Sequence, residues 1–155
     1  MAVISFEEKR RISPTFDGMS FGDVGQYERI EGIVHCDLDP KDPLNSDIVN
    51  IDRAPRDKNG LVAYSTEFVI IRPIDEQRGN GWLFYEFINR GTQRGLTRIN
   101  NAPFAPLPST AADTGNGFLM RQGFTIVYTA WQGTVEAGGG RLIADGPVAR
   151  APDGR

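Results

Sequence analysis

Gly18-Met19-Ser20-Phe21-Gly22 is the stretch whose residue types match a catalytic pattern, Gly-x-Ser-x-Gly. In that pattern the serine occupies a strained turn between a buried strand and a helix, which pushes its hydroxyl into the site. The flanks here do not supply that setting. Residues 12–17 contain Pro14 and no apolar run, and residues 23–27 include Gly25 and lead into a strand rather than a helix. Ser20 therefore reads as a serine in a glycine-rich loop. A serine nucleophile also needs a base within reach, and the only histidine, His35, falls inside the first regular strand. Ser20 and His35 are both set aside, and no catalytic residue is expected within the chain.

The other constellations are weaker. His35, Asp37 and Asp39 share a strand face, but nothing fixes a fourth metal ligand and the spacing is not that of a calcium loop. Gly115-Asn116-Gly117 lacks the third glycine of a dinucleotide fingerprint and does not directly follow a strand. Gly138-Gly139-Gly140 precedes no Lys-Ser or Lys-Thr pair, so it is not a phosphate loop. Cys36 alternates with apolar strand neighbours and reads as a core residue; as the only cysteine it excludes an internal disulfide. No metal and no cofactor are expected.

The elements that would position a site follow from periodicity and breakers. Residues 1–26 read as an irregular segment, broken by Pro14, Gly18, Gly22 and Gly25. Residues 27–38 alternate as a strand, with Ile30, Val34, Cys36 and Leu38 on one face. Residues 47–53 and 61–74 are expected to pair as a hairpin across Asn59-Gly60. The run Phe68-Val69-Ile70-Ile71 is apolar on both faces, which predicts a central strand. Trp82 to Ile88 forms another strand, followed by a long connection over 92–113 in which Pro103, Pro106 and Pro108 prevent a long helix. A short helix is expected over 114–122, capped by Asp113 or Thr114 and ended by Gly123, then a buried strand over 124–130. The order implies an α/β, β-rich chain: hairpin strands passing into a strand–loop–helix–strand crossover, the last two strands parallel. One partial sheet domain over 27–149 and a tail over 150–155 complete the division.

Size and charge narrow the partners. A chain of 155 residues holds one domain with a real core, and 18 glycines with 10 prolines favour turns over a helical bundle. A net charge of −3 gives no footprint for nucleic acid or an anionic membrane. The densest basic run, Lys9-Arg10-Arg11, adjoins Glu7 and Glu8 and reads as a solvated patch. There is no signal-peptide pattern and no apolar stretch of membrane-spanning length. The compartment stays open, cytoplasmic by default.

Two strand-ending segments carry a resemblance. Trp82 to Gly91 (WLFYEFINRG) resembles the α/β-hydrolase strand that ends in a His-Gly oxyanion turn, with Asn89-Arg90-Gly91 in that place. Gly117 to Gly133 (GFLMRQGFTIVYTAWQG) resembles the helix and strand that come next, ending in Trp131-Gln132-Gly133 instead of Asp-x-x-Gly. With Phe21-Gly22, Gly25-x-Tyr27-Glu28, Asp39-Pro40, Ala54-Pro55-Arg56 and Gly115-Asn116-Gly117-Phe118-Leu119, the chain resembles the N-terminal half of a bacterial family of large, poorly characterised α/β-hydrolase domain proteins. That resemblance implies hydrolysis of an ester or similar acyl bond by a serine, a histidine and an oxyanion hole. It places the serine, the acid and the histidine beyond Arg155, and Asn89, Arg90, Gly91 and Thr92 in the oxyanion turn. The implied partner is a small ester-like substrate once a C-terminal part completes the site. An unpaired edge on strand 124–130 would favour self-association. The alternative function is a non-enzymatic, β-rich binding or interaction module.

Overall fold

A computed structural model describes residues 2–148 and 150. Its centre is a mixed six-stranded sheet in a strand-rich α/β chain, and strand alternation explains which residues it buries. β1 (Ala2–Ile12), β2 (Tyr27–Leu38) and β3 (Val62–Pro73) run antiparallel in succession, and β2 and β3 pair continuously from Tyr27–Pro73 to Leu38–Val62. β5 (Thr125–Thr129) is antiparallel to β3 over Phe68–Ile71, and β4 (Leu83–Phe87) lies outside it, parallel to β5. The two-residue β6 (Ala144–Asp145) pairs with β3 at Ser65 and Thr66, where β5 no longer reaches.

Alternate residues of these strands face opposite ways. Tyr27, Val69, Ile71, Ile126 and Tyr128 point into the main core, where Phe16, Phe21, Leu96, Leu119 and Met120 meet them. Those partners come from the loop after β1 and from the β4–β5 connection, so this connection covers one face of the sheet. The connection holds two single-turn helices, α1 (Gly95–Ile99) and α2 (Phe118–Arg121). Buried Asn100 organises it: its side chain donates to the Thr114 carbonyl (3.1 Å) and accepts from the Leu119 amide (3.0 Å). Tyr27 then ties β2 to the end of α2, its hydroxyl lying 3.0 Å from the Met120 carbonyl and 3.1 Å from that of Phe124. On the opposite face Ile30, Val34, Cys36 and Phe68 form a smaller cluster.

Among the described residues, buried charge is confined to β2. Arg29 is fully buried; its Nη1 donates to the Pro108 carbonyl (2.5 Å), and its Nε faces Glu31 at 2.8 Å in ion-pair rather than hydrogen-bond geometry. Burial pushes this guanidinium below its ordinary pKa, and the Glu31 charge opposes the shift. Glu28, on the other face, accepts from Arg11 and Arg72, each at 2.8 Å. Burial alone would raise its carboxyl, but the two arginines outweigh burial and hold it below the ordinary glutamate range.

The sheet departs from expectation in four places. Residues 2–12 of the segment read as irregular form β1. Its side chains are exposed on both faces except at Ile12, so no alternation of burial marks it in the sequence. Residues 47–53 are not a strand: the chain folds into short turns at Pro43–Asn45 and Ile51–Arg53, and β3 takes β2 as its hairpin partner. The Asn59-Gly60 turn forms, with Asp57 Oδ1 accepting from the Asn59 and Leu61 amides, but it only re-aims the chain into β3. The helix expected over 114–122 shrinks to Phe118–Arg121, because Thr110 and Asp113 form a capping box on a separate turn, Ala111–Thr114. The strand at 124–130 does not end the sheet either, since β5 lies between β3 and β4 and the free edge belongs to β4. The expected tail at 150–155 lies outside the described residues apart from Arg150. Among the described residues no helix is long and apolar enough to cross a membrane.

Candidate functional site

Parallel strands deliver their carboxyl ends to the same side of a sheet, and the crevice beyond those ends is where open α/β sheets place ligands. β4 and β5 are the parallel pair here, and both end in a turn. After β4 the chain closes tightly, with the Thr92 amide donating to the Asn89 carbonyl at 3.1 Å. Arg90 (φ +51°) and Gly91 (φ +73°) are both left-handed in this turn. For a residue with a Cβ that conformation costs roughly 1 kcal/mol, so Arg90 is held there by its surroundings.

Those surroundings come from the second turn. Gln132 Oε1 accepts from the Arg90 amide at 2.7 Å, and Trp131 Nε1 donates to the Ile88 carbonyl at 2.5 Å. A third segment closes the arrangement, with the Leu142 amide donating to the Gly91 carbonyl at 2.9 Å. A Cβ on Gly91 would stand 2.6 Å from the Leu142 oxygen and 2.9 Å from Arg141 Cβ, so only glycine allows the tail this close. The three segments enclose a polar cleft of about 460 Å³ lined by Arg90, Thr92, Gln132, Thr134, Glu136 and Arg141.

Of the four residues read as an oxyanion turn, Arg90 and Thr92 line this cleft, while Asn89 and the buried Gly91 do not. The Arg90 amide is taken by Gln132 and the Thr92 amide by Asn89. The Gly91 amide has no acceptor among the described residues. Asn89 ends the strand and bridges to Thr92. Below the turn, Glu86 accepts from the Arg94 and Gly95 amides at 3.0 and 2.7 Å, fixing where the connection leaves the sheet.

Ser20 and His35 are not brought together. Ser20 is exposed and bridges Gln26, just before β2. His35 lies nine residues further on, which along a strand is on the order of 30 Å. The His35 ring pairs instead with Glu7 across the β1–β2 ladder, at 3.3 Å. Among the described residues no three His, Cys, Asp or Glu side chains group closely enough to hold a metal ion. Cys36 is buried in the smaller cluster.

Sequence reasoning missed Thr134, Glu136 and Arg141 on the cleft wall and the hydrogen bond made by Gln132. The triple glycine at 138–140 was the available signal: all three have positive φ, and they turn the tail back toward β3. Comparison of the chain with protein-family models, with curated proteins and with solved structures gave no match.

Proposed function

We propose that this chain is the N-terminal part of a serine hydrolase acting on ester or similar acyl bonds, with its nucleophile outside these 155 residues. The observation that carries the reading is the cleft at the carboxyl ends of β4 and β5. There a left-handed turn between a parallel strand and the helical connection keeps one amide, that of Gly91, without an acceptor. Serine hydrolases of the α/β type draw one oxyanion donor from the loop in this position and a second from the residue after the nucleophile. The passage from antiparallel strands into a parallel crossover, and the free edge of β4 beside the cleft, supply a place for a strand carrying that nucleophile.

The roles then divide as follows. Gly91 stabilises the developing oxyanion, Gln132 and Trp131 hold the turn in shape, and the remaining cleft residues contact the acyl group. The serine, histidine and acid come from elsewhere. The reading frame continued past Arg155 should encode a strand–Gly-x-Ser-x-Gly–helix unit. A fluorophosphonate probe should label the longer polypeptide at that serine, and Ser20→Ala should leave labelling intact. Labelling at Ser20, or a frame with no such unit, overturns the proposal, and the second result would favour the non-enzymatic binding module.

A further inference from the structure

We infer that the cleft at the ends of β4 and β5 is a subsite for the carboxylate of a carboxylate-bearing acyl substrate, held between Arg90 and Arg141. Both residues line the cleft, and neither side chain has an ion-pair or hydrogen-bond partner among the described residues. Their juxtaposition is built in. Gly91 follows Arg90 and receives the Leu142 amide, while Arg141 Cβ lies 2.9 Å from where a Cβ on Gly91 would be. The backbones of two arginines 51 residues apart in sequence are thus joined beside one cleft by a single hydrogen bond, Leu142 amide to Gly91 carbonyl.

The rest of the lining selects the kind of anion. Thr92 and Thr134 add hydroxyls, Gln132 adds an amide, and Glu136 adds one negative charge. Two arginines against one glutamate leave a net charge of +1, which neutralises a monoanion and leaves a phosphate dianion in excess. A planar carboxylate also matches the guanidinium fork, with two parallel N–H donors meeting two oxygens. The carboxylate part of the inference stands on the cleft alone. The acyl part rests on the hydrolase reading, because Arg90 and Thr92 of the oxyanion turn line the same cleft as Arg141.

Titration of the 155-residue chain with monomethyl succinate, followed by amide and arginine Nε NMR signals, tests it without requiring turnover. Saturable shifts are expected at Arg90, Thr92, Gln132 and Arg141. Neutral dimethyl succinate should give none at the same concentration, and inorganic phosphate should bind more weakly than the monoester. Arg90→Gln and Arg141→Gln should each weaken monomethyl succinate binding about tenfold or more, as expected for losing a charged hydrogen bond, with spectra that otherwise overlay the parent. Equal binding of the dimethyl ester, tighter binding of phosphate, or unchanged affinity in both variants overturns the subsite. Fluorophosphonate labelling is indifferent to all three outcomes, so failure here and failure of the hydrolase reading are distinguishable.

Discussion

The two edges of the sheet are built on opposite principles. β1 puts Glu7, Glu8, Lys9, Arg10 and Arg11 along an exposed strand and breaks register with β2 twice, between Val3 and Ser5 and between Glu8 and Arg10. Charges and bulges are the devices that stop a further strand from adding. Its ionic groups are also engaged locally, Lys9 with Glu7 at 2.5 Å and Arg11 with Glu8 at 2.7 Å. β4 has no bulge, and its single charge, Glu86, is taken up by the Arg94 and Gly95 amides. It reads Leu-Phe-Tyr-Glu-Phe in unbroken register with β5, and Leu83, Tyr85 and Phe87 are 58, 39 and 76% exposed on one face. Tyr85 packs edge-on against Phe87 and hydrogen-bonds Thr129, so this face is ordered as well as apolar. The contrast teaches that the sheet is finished at β1 and open to continuation at β4, the side on which the cleft also lies.

The contrast can be broken or sharpened by substitution. The largest effect is expected at the finished edge. Gly32→Ala would place a Cβ 2.2 Å from the Glu7 carbonyl oxygen and 2.7 Å from the Phe68 ring, so β1 and β2 must separate. A loss of about 3 kcal/mol in denaturant unfolding is expected; an unchanged midpoint would mean that β1 does not hold this register. Next comes Glu28→Gln, which leaves Arg11 and Arg72 without their shared carboxylate and should cost about 1–3 kcal/mol.

The pH dependence of that contribution has a definite sign. A carboxyl held below its ordinary value when folded contributes fully above the ordinary glutamate range, and the contribution fades as pH falls through the lowered folded value. Acid titration of stability should therefore be less steep in Glu28→Gln than in the parent, and identical slopes would remove the ion pairs from the account.

Smaller still is the effect of charging the open edge. Phe87→Lys should leave folding nearly unchanged and weaken any concentration-dependent association about tenfold in sedimentation. Val3→Lys, the matching change at the finished edge, should change neither quantity. Equal responses from the two would erase the distinction between the edges.

The same contrast governs what was legible in the sequence. β2, β3 and β5 announce themselves because burial forces alternation or continuous apolar runs, as in Phe68 to Ile71, while β4 shows as an aromatic run. The parallel relation of the last two long strands followed from the helical connection between them. β1 left no such trace, since its strand character comes from pairing with β2 rather than from an apolar face. The misread strand at 47–53 shows the converse. Ile48 and Val49 look like strand residues but remain exposed, and only Ile51 is buried. At the cleft, the turn after β4 was visible as an abrupt end to an aromatic run. Arg141 and Glu136 were not, because they reach it by long-range return of the chain rather than by any local pattern.

That return has a consequence in the time domain. The tail is stitched to the turn after β4 through Leu142, to β3 through β6, and to Glu67 through the Ile143 amide, which lies 2.8 Å from its carboxylate. Bonds so closely grouped are expected to open as one cooperative unit, at a free energy below that of global unfolding. The amides of Leu142 and Ile143 should then exchange with solvent deuterium at matched rates. Each such opening would carry Arg141 away from Arg90 and uncover the Gly91 carbonyl in the same event, so the lifetime of the cleft is the lifetime of this one clasp.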